Sequence, residues 1–432
     1  MNNKKLTLTL ALTVGFVSPT APILAANIST TVLASGLNNP RGMTLGPEGQ
    51  LYITQAGRGG NGTCILSGGQ SQVCYRPTSA ITRLHTTTGA TEVLIDNLPS
   101  LAQQPSGNEG IGLQDLYFDQ SGQLFGIIGL GTHPDVRDNT LGIPAFGQAI
   151  AINLTGTPSW SPVADLADFE RDNNPDEDGV DSNPYSLVVQ NGVIYATDAG
   201  GNSLLRVDGN GAITAIAAFP VRLVTPPPFI PNLPNPFPMQ AVPTGMAIGP
   251  DNQLYIGQLT GFPFPVGGAN VYRFNGTNLE EFATGFSNII DLAFAPDGSL
   301  YVLEYASNFL AGDFSGQLWR IAPNGTRQSI LDQGLSFPTG LAIGGDGAIY
   351  VANQGFVGGQ GQILKITSTP EMTSVIALGV TALMGLRLRS KKKSTSLSPF
   401  GGGRKSGNPR AIALGGSLAK VLQSLNSSSL MG

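Results

Sequence analysis

Charged side chains are scarce in this chain. Asp, Glu, Lys and Arg make up 12% of its 432 residues, about half the share usual in soluble domains. The shortage is lopsided: residues 27–370 hold eleven arginines and one lysine, Lys365, against 27 acids, a net charge of −15, while the whole chain carries −5. A nucleic-acid binder needs a basic stripe to meet phosphates, so that class is excluded. Histidine occurs only as His85 and His133, which excludes a His-rich metal or quinone site. No G-x-S-x-G elbow, H-E-x-x-H pair or Walker loop occurs, and with them go the enzyme classes whose sites those spacings build. Glycine and proline, at 58 and 31 residues, stay below the level of disordered chains, and 41% apolar content is ample for a core. The chain is folded and rich in turns.

The basic residues that the middle lacks sit at the ends. Lys4 and Lys5, an apolar run from Leu6 to Val17 and the small residues Ala25 and Ala26 follow the order of a secretory signal peptide over residues 1–26. Near the other end, Pro370-Glu371 precedes an apolar run from Thr373 to Leu386 and a cluster of Arg387, Arg389 and Lys391 to Lys393. The run is shorter than the ~20 residues that span a bilayer, although flanking basic side chains can snorkel; a core helix is the alternative. A Pro-Glu pair, a short apolar helix and a basic cluster resemble the PEP-CTERM sorting signal of bacterial exosortase substrates. Met372 stands where that family has a second Pro, and residues 394–432, an expected flexible tail, follow where it normally ends. The resemblance implies an exosortase-type sorting machinery as partner, membrane contact only in passing through 373–393, and export to the periplasm, outer envelope or medium.

Between the ends, residues 27–370 repeat. Six segments share an apolar strand, a tight turn and a second strand with an aromatic three residues on: GMTLGPEGQLYI, LQDLYFDQSGQLFG, YSLVVQNGVIYA, GMAIGPDNQLYI, DLAFAPDGSLYV and GLAIGGDGAIYV. The turn residues are Gly49, Gly122, Gly192, Asn252, Gly298 and Gly347, types that accept a positive φ, and the flanking alternation has the strand period of two. Third and fourth strands follow in most units, such as NSLLRVD and AITAIAAF. The last unit lacks a fourth, whereas TTVLASGL, ending at Leu37, is one strand too many at the start. The pattern predicts an all-β fold, a six-bladed β-propeller of the NHL/SMP-30-like kind whose N-terminal strand closes the last blade.

Turns between first and second and between third and fourth strands are short, so every sizeable insertion falls on the opposite face, around the channel mouth, where binding usually resides. One inserted loop carries Cys64 and Cys74, most simply a disulfide in an exported chain. Another, DLADFERDNNPDEDGVD (165–181), has eight carboxylates and one Arg. Its Asn174-Pro-Asp176-Glu-Asp178-Gly179 matches the opening of a calcium loop, but Tyr185 stands where an EF-hand needs Glu. An irregular Ca²⁺ site with Asn174, Asp176, Asp178 and Asp181 as donors is one expectation, a solvated acidic loop the other. Residues 220–243 contain nine prolines, and with Phe229, Phe237, Phe262 and Phe264 they place stiff apolar material on the same rim.

The remaining chemistry-bearing candidates converge on the mouth: Glu109, Asp115, Asn183, Asn288 and Asp291 near the starts of innermost strands, His133 in GTHPDVRDN, and Phe262 and Phe264. Propeller lactonases hold Ca²⁺ with such residues, though turn and strand-start hydrogen bonding explains them as well. The strings DLADFERDNNPDEDGVDSNPYSLVV, YATDAGGNSLLRVDGNG and VPTGMAIGPDNQLYIGQLTGFPFPVGGANVYR, with the cysteine loop, resemble the ScyD/ScyE-like propellers of cyanobacteria over roughly residues 30–367. Some relatives are encoded with the genes for scytonemin, an extracellular pigment. The resemblance implies export and work on an aromatic precursor; together with the inserted face it leads to the expectation of an exported propeller that binds a small organic ligand or an envelope or extracellular partner through that face. A Ca²⁺-dependent lactonase-like hydrolase, or an enzyme of aromatic-pigment maturation, is the alternative.

Overall fold

The computed structural model describes residues 26–68 and 70–370. The expected signal peptide up to Ala25, the sorting segment 371–393 and the tail 394–432 lie outside the described residues. Among the described residues no helix is long and apolar enough to cross a membrane.

All six sequence repeats become four-stranded antiparallel sheets. Blade 1 comprises Pro40–Leu45, Leu51–Gln55, Ser79–Leu84 and Thr91–Leu98, and blade 2 comprises Leu113–Phe118, Leu124–Ile128, Gln148–Asn153 and Ser159–Asp165. Blades 3 and 4 start at Pro184–Gln190 and Pro243–Ile248, and blade 5 at Ile289–Phe294. Blade 6 has Gly340–Ile343, Ile349–Asn353 and Gly358–Pro370 from the C-terminal side, and its outermost strand is the N-terminal Ala26–Asn38. First strands of successive blades touch one another, and blade 6 touches blade 1. The six-bladed propeller closed by the N-terminal strand is therefore the fold.

Local chemistry explains why the repeats work. Gly49, Gly122, Gly192, Asn252, Gly298 and Gly347 all have φ between 60° and 85°, a region costly for residues with a Cβ other than Asn or Asp. The aromatic that follows packs into the seam with the next blade, as Tyr52 does on Phe118 and Tyr255 on Phe294, both at 4.9 Å between ring centroids. Six apolar clusters result, one per seam; the last joins Met43, Leu51 and Ile53 of blade 1 to Tyr350, Ala352 and Ile363 of blade 6. Non-directional burial of this kind holds blades together without charges, which is why the fold tolerates so few.

Each seam is also pinned near the axis by one side chain. Thr54 donates to Gln114 O, Asp115 accepts from Ser186 and Leu187, and Thr197 donates to Thr244 O. Thr244 donates to Ile289 O, Asp291 accepts from Leu341 N, and Thr339 donates to Pro40 O.

One expected loop is partly a helix. Leu166–Asn173 is α-helical, started by Asp165, whose side chain accepts from Asp168 N, and ended by Asn174 in a left-handed conformation. An Asp N-cap and an αL Asn are ordinary helix boundaries, so the first half of the acidic 165–181 loop is helical rather than irregular.

Candidate functional site

Blades 2 and 5 face each other across the axis, and each places an aspartate on it. Asp115 and Asp291, with Tyr185, Ser186 and Thr339, line a space of about 10 Å³, room for a single water. Both carboxylates are fully engaged by the ring. Asp115 Oδ1 accepts from Leu116 N at 2.8 Å and Oδ2 from Ser186 Oγ at 2.6 Å, while Asp291 Oδ1 accepts from Leu292 N at 2.8 Å and Oδ2 from Leu341 N at 2.7 Å. Asn183 Oδ1 accepts from Leu130 N, and Asn288 Nδ2 donates to Leu259 O. Oxygen atoms already committed to N–H and O–H donors leave little for a cation. Of the channel set Glu109, Asp115, Asn183, Asn288 and Asp291, the oxygens of Asp115 and Asp291 and Asn183 Oδ1 are thus occupied by the ring's own donors.

Burial raises the carboxyl of Asp115 to about 6 despite its three donors. Burial, and next the charge of Asp115, raise that of Asp291 well above the usual range. The folded state thus holds these protons more tightly than the unfolded chain does. Their contribution to stability is full below the ordinary carboxylate range and is lost as pH rises through it and through about 6. We expect unfolding free energy to fall as pH rises from about 4 through about 6, by on the order of 3 kcal/mol from Asp115, with a further fall from Asp291 in the same direction. Asp291→Asn should flatten that slope in pH-dependent denaturant melts; an unchanged slope contradicts the assignment.

Above the aspartates the mouth has two unlike halves. Over blades 4 to 6 the rings of Phe237, Phe262, Phe264, Phe309, Phe314, Phe337 and Phe356 form one connected arc, with Tyr305 bridging Phe309 and Phe337. Phe314, Phe337 and Phe356 stack nearly parallel, at 4.5 and 4.8 Å between centroids. All eight rings are only half-buried. Phe237, Phe262 and Phe264, expected on this rim, belong to the arc; Phe309, Phe314, Phe337 and Phe356 were not singled out from the sequence, although each lies in a loop or connection on the inserted face.

Over blades 1 to 3 the mouth is polar. Arg41 donates to Gly355 O at 2.6 Å and to Gly110 O at 2.7 Å, bridging the two halves. Glu109, with a positive φ of 55°, donates its N–H to Phe356 O at 3.1 Å. Burial raises its carboxyl, while Ser71, Arg41 and Gln103 oppose the rise. Tyr185 lines the axial space below the mouth, and burial pushes up its phenol and that of Tyr305 in the arc.

His133 lies apart from the axis. Its Nδ1 accepts from Asp135 N at 3.1 Å and caps the short helix Pro134–Val136. With Asp181 and the hairpin Cys64–Leu66/Gln72–Tyr75 it lines an open groove of about 530 Å³. The Cys64–Cys74 disulfide is formed, joining opposite residues of that hairpin. In the acidic connection, Asp176 accepts from Asn202 Nδ2 at 2.9 Å and Asp178 from Gln240 Nε2 at 2.6 Å, while Asn174 Nδ2 donates to Asp178 O. Among the described residues no three His, Cys, Asp or Glu side chains are placed to enclose a metal ion.

No protein-family model matches the sequence, and no curated protein is significantly similar to it. Solved structures that share its shape include virginiamycin B lyase from Staphylococcus aureus (15% identity, 79% of this chain and 99% of that one, TM-score 0.42). A gluconolactonase from Xanthomonas campestris aligns at 11% identity over 82% of this chain and 99% of its own, with a TM-score of 0.46. The PQQ-bound aldose sugar dehydrogenase of Streptomyces coelicolor aligns at 16% over 80% and 100%, with a TM-score of 0.44.

Proposed function

We propose that the protein is an exported ligand-binding propeller of the ScyD/ScyE-like kind, and that its ligand is a flat, apolar or aromatic organic molecule held against the arc at the channel mouth. The observation that carries this reading is the arc itself: eight linked rings, none fully buried, gathered from three blades and two connections onto the inserted face. Ring faces accept other rings by offset stacking, each such pair worth about 0.5–1.5 kcal/mol beyond area burial. Arg41, Glu109 and Tyr305 beside the arc supply the few polar groups that orient a ligand. The domain's charge of −15 disfavours anionic ligands and favours neutral ones.

Titration with the neutral fluorophore N-phenylnaphthylamine tests the reading. Phe309→Ala and Phe337→Ala should each weaken binding about tenfold, the worth of one good ring contact, whereas His133→Ala should leave it unchanged. Equal binding by all three variants contradicts the reading. One observation favours the hydrolase alternative: a carboxyl held up to about 6 at Asp115 lies beneath the arc, in the range a general acid needs. Turnover of a lactone or pigment precursor that is abolished in Asp115→Asn while ligand binding persists would select it.

A further inference from the structure

Glu170, in the last half of the helix Leu166–Asn173, is fully buried, and neither of its carboxylate oxygens has a hydrogen-bond donor. That combination is rare, because a buried carboxylate without a partner loses its hydration and gains nothing in return. Its surroundings make it worse. Beyond burial, the groups that act on it are Asp198, Asp176 and Asp181, all negative. The nearby arginines are spent elsewhere: Arg137 on Asp138, Asp165 and Asp168, and Arg171 on Asp138, Asp168 and Asp172. Further orphans in the same stretch, Asn174 Oδ1 and Asp181 Oδ1, are again buried acceptors without a donor.

Space for the carboxylate is made by glycine. A Cβ on Gly201 would lie 2.3 Å from Glu170 Oε2, and one on Gly200 would lie 2.9 Å from Asp181 O. Asp198 holds this Gly-Gly turn in place, its Oδ1 accepting from Gly200 N and Gly201 N at 3.0 Å each. The turn thus lets backbone and carboxylate approach where any side chain would block them.

We propose that Glu170 is the central ligand of a Ca²⁺ site, completed by Asp181 and Asn174, which bind the helix end and the acidic connection to the blade 3 turn. Orphan acceptors with no donor among them suit a hard cation, and irregular oxygen donors on a connection suit Ca²⁺ better than the strict octahedron of Mg²⁺. The site is distinct from the aromatic arc, and its role is to fix a wall of the inserted face.

The test is calorimetric titration of chelator-stripped full-length protein with CaCl2, with Tm read in parallel. Wild type should take up one Ca²⁺ and gain about 5 °C in Tm at a hundredfold excess over Kd. Glu170→Gln should weaken binding roughly a hundredfold, and Asp181→Asn, at a half-buried position, about tenfold. Asp178→Asn, whose carboxylate is turned to Gln240, should bind within about threefold of wild type. Absence of binding and of a Tm gain in wild type overturns the proposal whatever the variants do. Undiminished binding in Asp181→Asn, or in Glu170→Gln where it folds, overturns the placement.

Discussion

Gly340→Ala is expected to destabilise the propeller by about 3 kcal/mol or more, and a larger residue to prevent closure. A Cβ on Gly340, in the first strand of blade 6, would stand 2.2 Å from Arg41 O and 3.3 Å from Gly42 Cα of blade 1. Those atoms are main chain, so no rotamer change relieves the overlap, and relief means moving the strands apart at the seam where the ring closes. The same move strains the Thr339 bond to Pro40 O, 2.7 Å long. Gly345→Ala is the control: it lies in the same blade, its Cβ would meet nothing within 4 Å, and its effect should stay within about 0.5 kcal/mol. Denaturant melts of the two variants decide; equal stability would mean that the inner strands of blades 6 and 1 do not abut.

Arg137→Met should cost about 3–5 kcal/mol, the range seen when one partner of a buried ion pair is removed. Arg137 is 2% exposed, and its guanidinium donates to Asp138, Asp165 and Asp168 at 2.6–2.7 Å and to Phe146 O at 3.2 Å. Asp165 is also the helix N-cap and Asp168 lies in its first turn, so the arginine ties the helix to the 137–141 segment. Removing it leaves Asp165 without a cation and Asp138 and Asp168 with Arg171 alone. Lysine cannot replace the planar fork that reaches three of them at once, so Arg137→Lys should recover only part of the loss. Adding Asp168→Asn to Arg137→Met should restore stability, a coupling readable in a double-mutant cycle.

The fold was legible because its signals are local. Six positive-φ turns, six aromatics in register and one displaced strand fall within short windows, and each survives intact in the structure. The disulfide was legible for the same reason, since Cys64 and Cys74 sit on one hairpin. The site was legible only where it is local: Phe262 and Phe264 occupy one string, but the loop of Phe309 and Phe314, Phe337 and Phe356 come from three further segments and meet only because the ring brings them together. Asp115 and Asp291 illustrate the converse. Acids at strand starts suggested ligands, yet each spends one oxygen on the next N–H of its own strand and the other on the neighbouring blade, a use that depends on that blade. Glu170 reads as one more surface acid in an acidic run, and its burial is decided by Gly200 and Gly201, thirty residues downstream.

The most direct test of the central claim, that the inserted face binds its ligand on the aromatic arc, is amide hydrogen exchange with and without saturating N-phenylnaphthylamine. Protection is predicted in 260–266, 305–314, 336–338 and 354–357, the segments that carry the arc. Protection confined to 64–74, 132–141 and 180–181, around the His133 groove, or none at all, would contradict it.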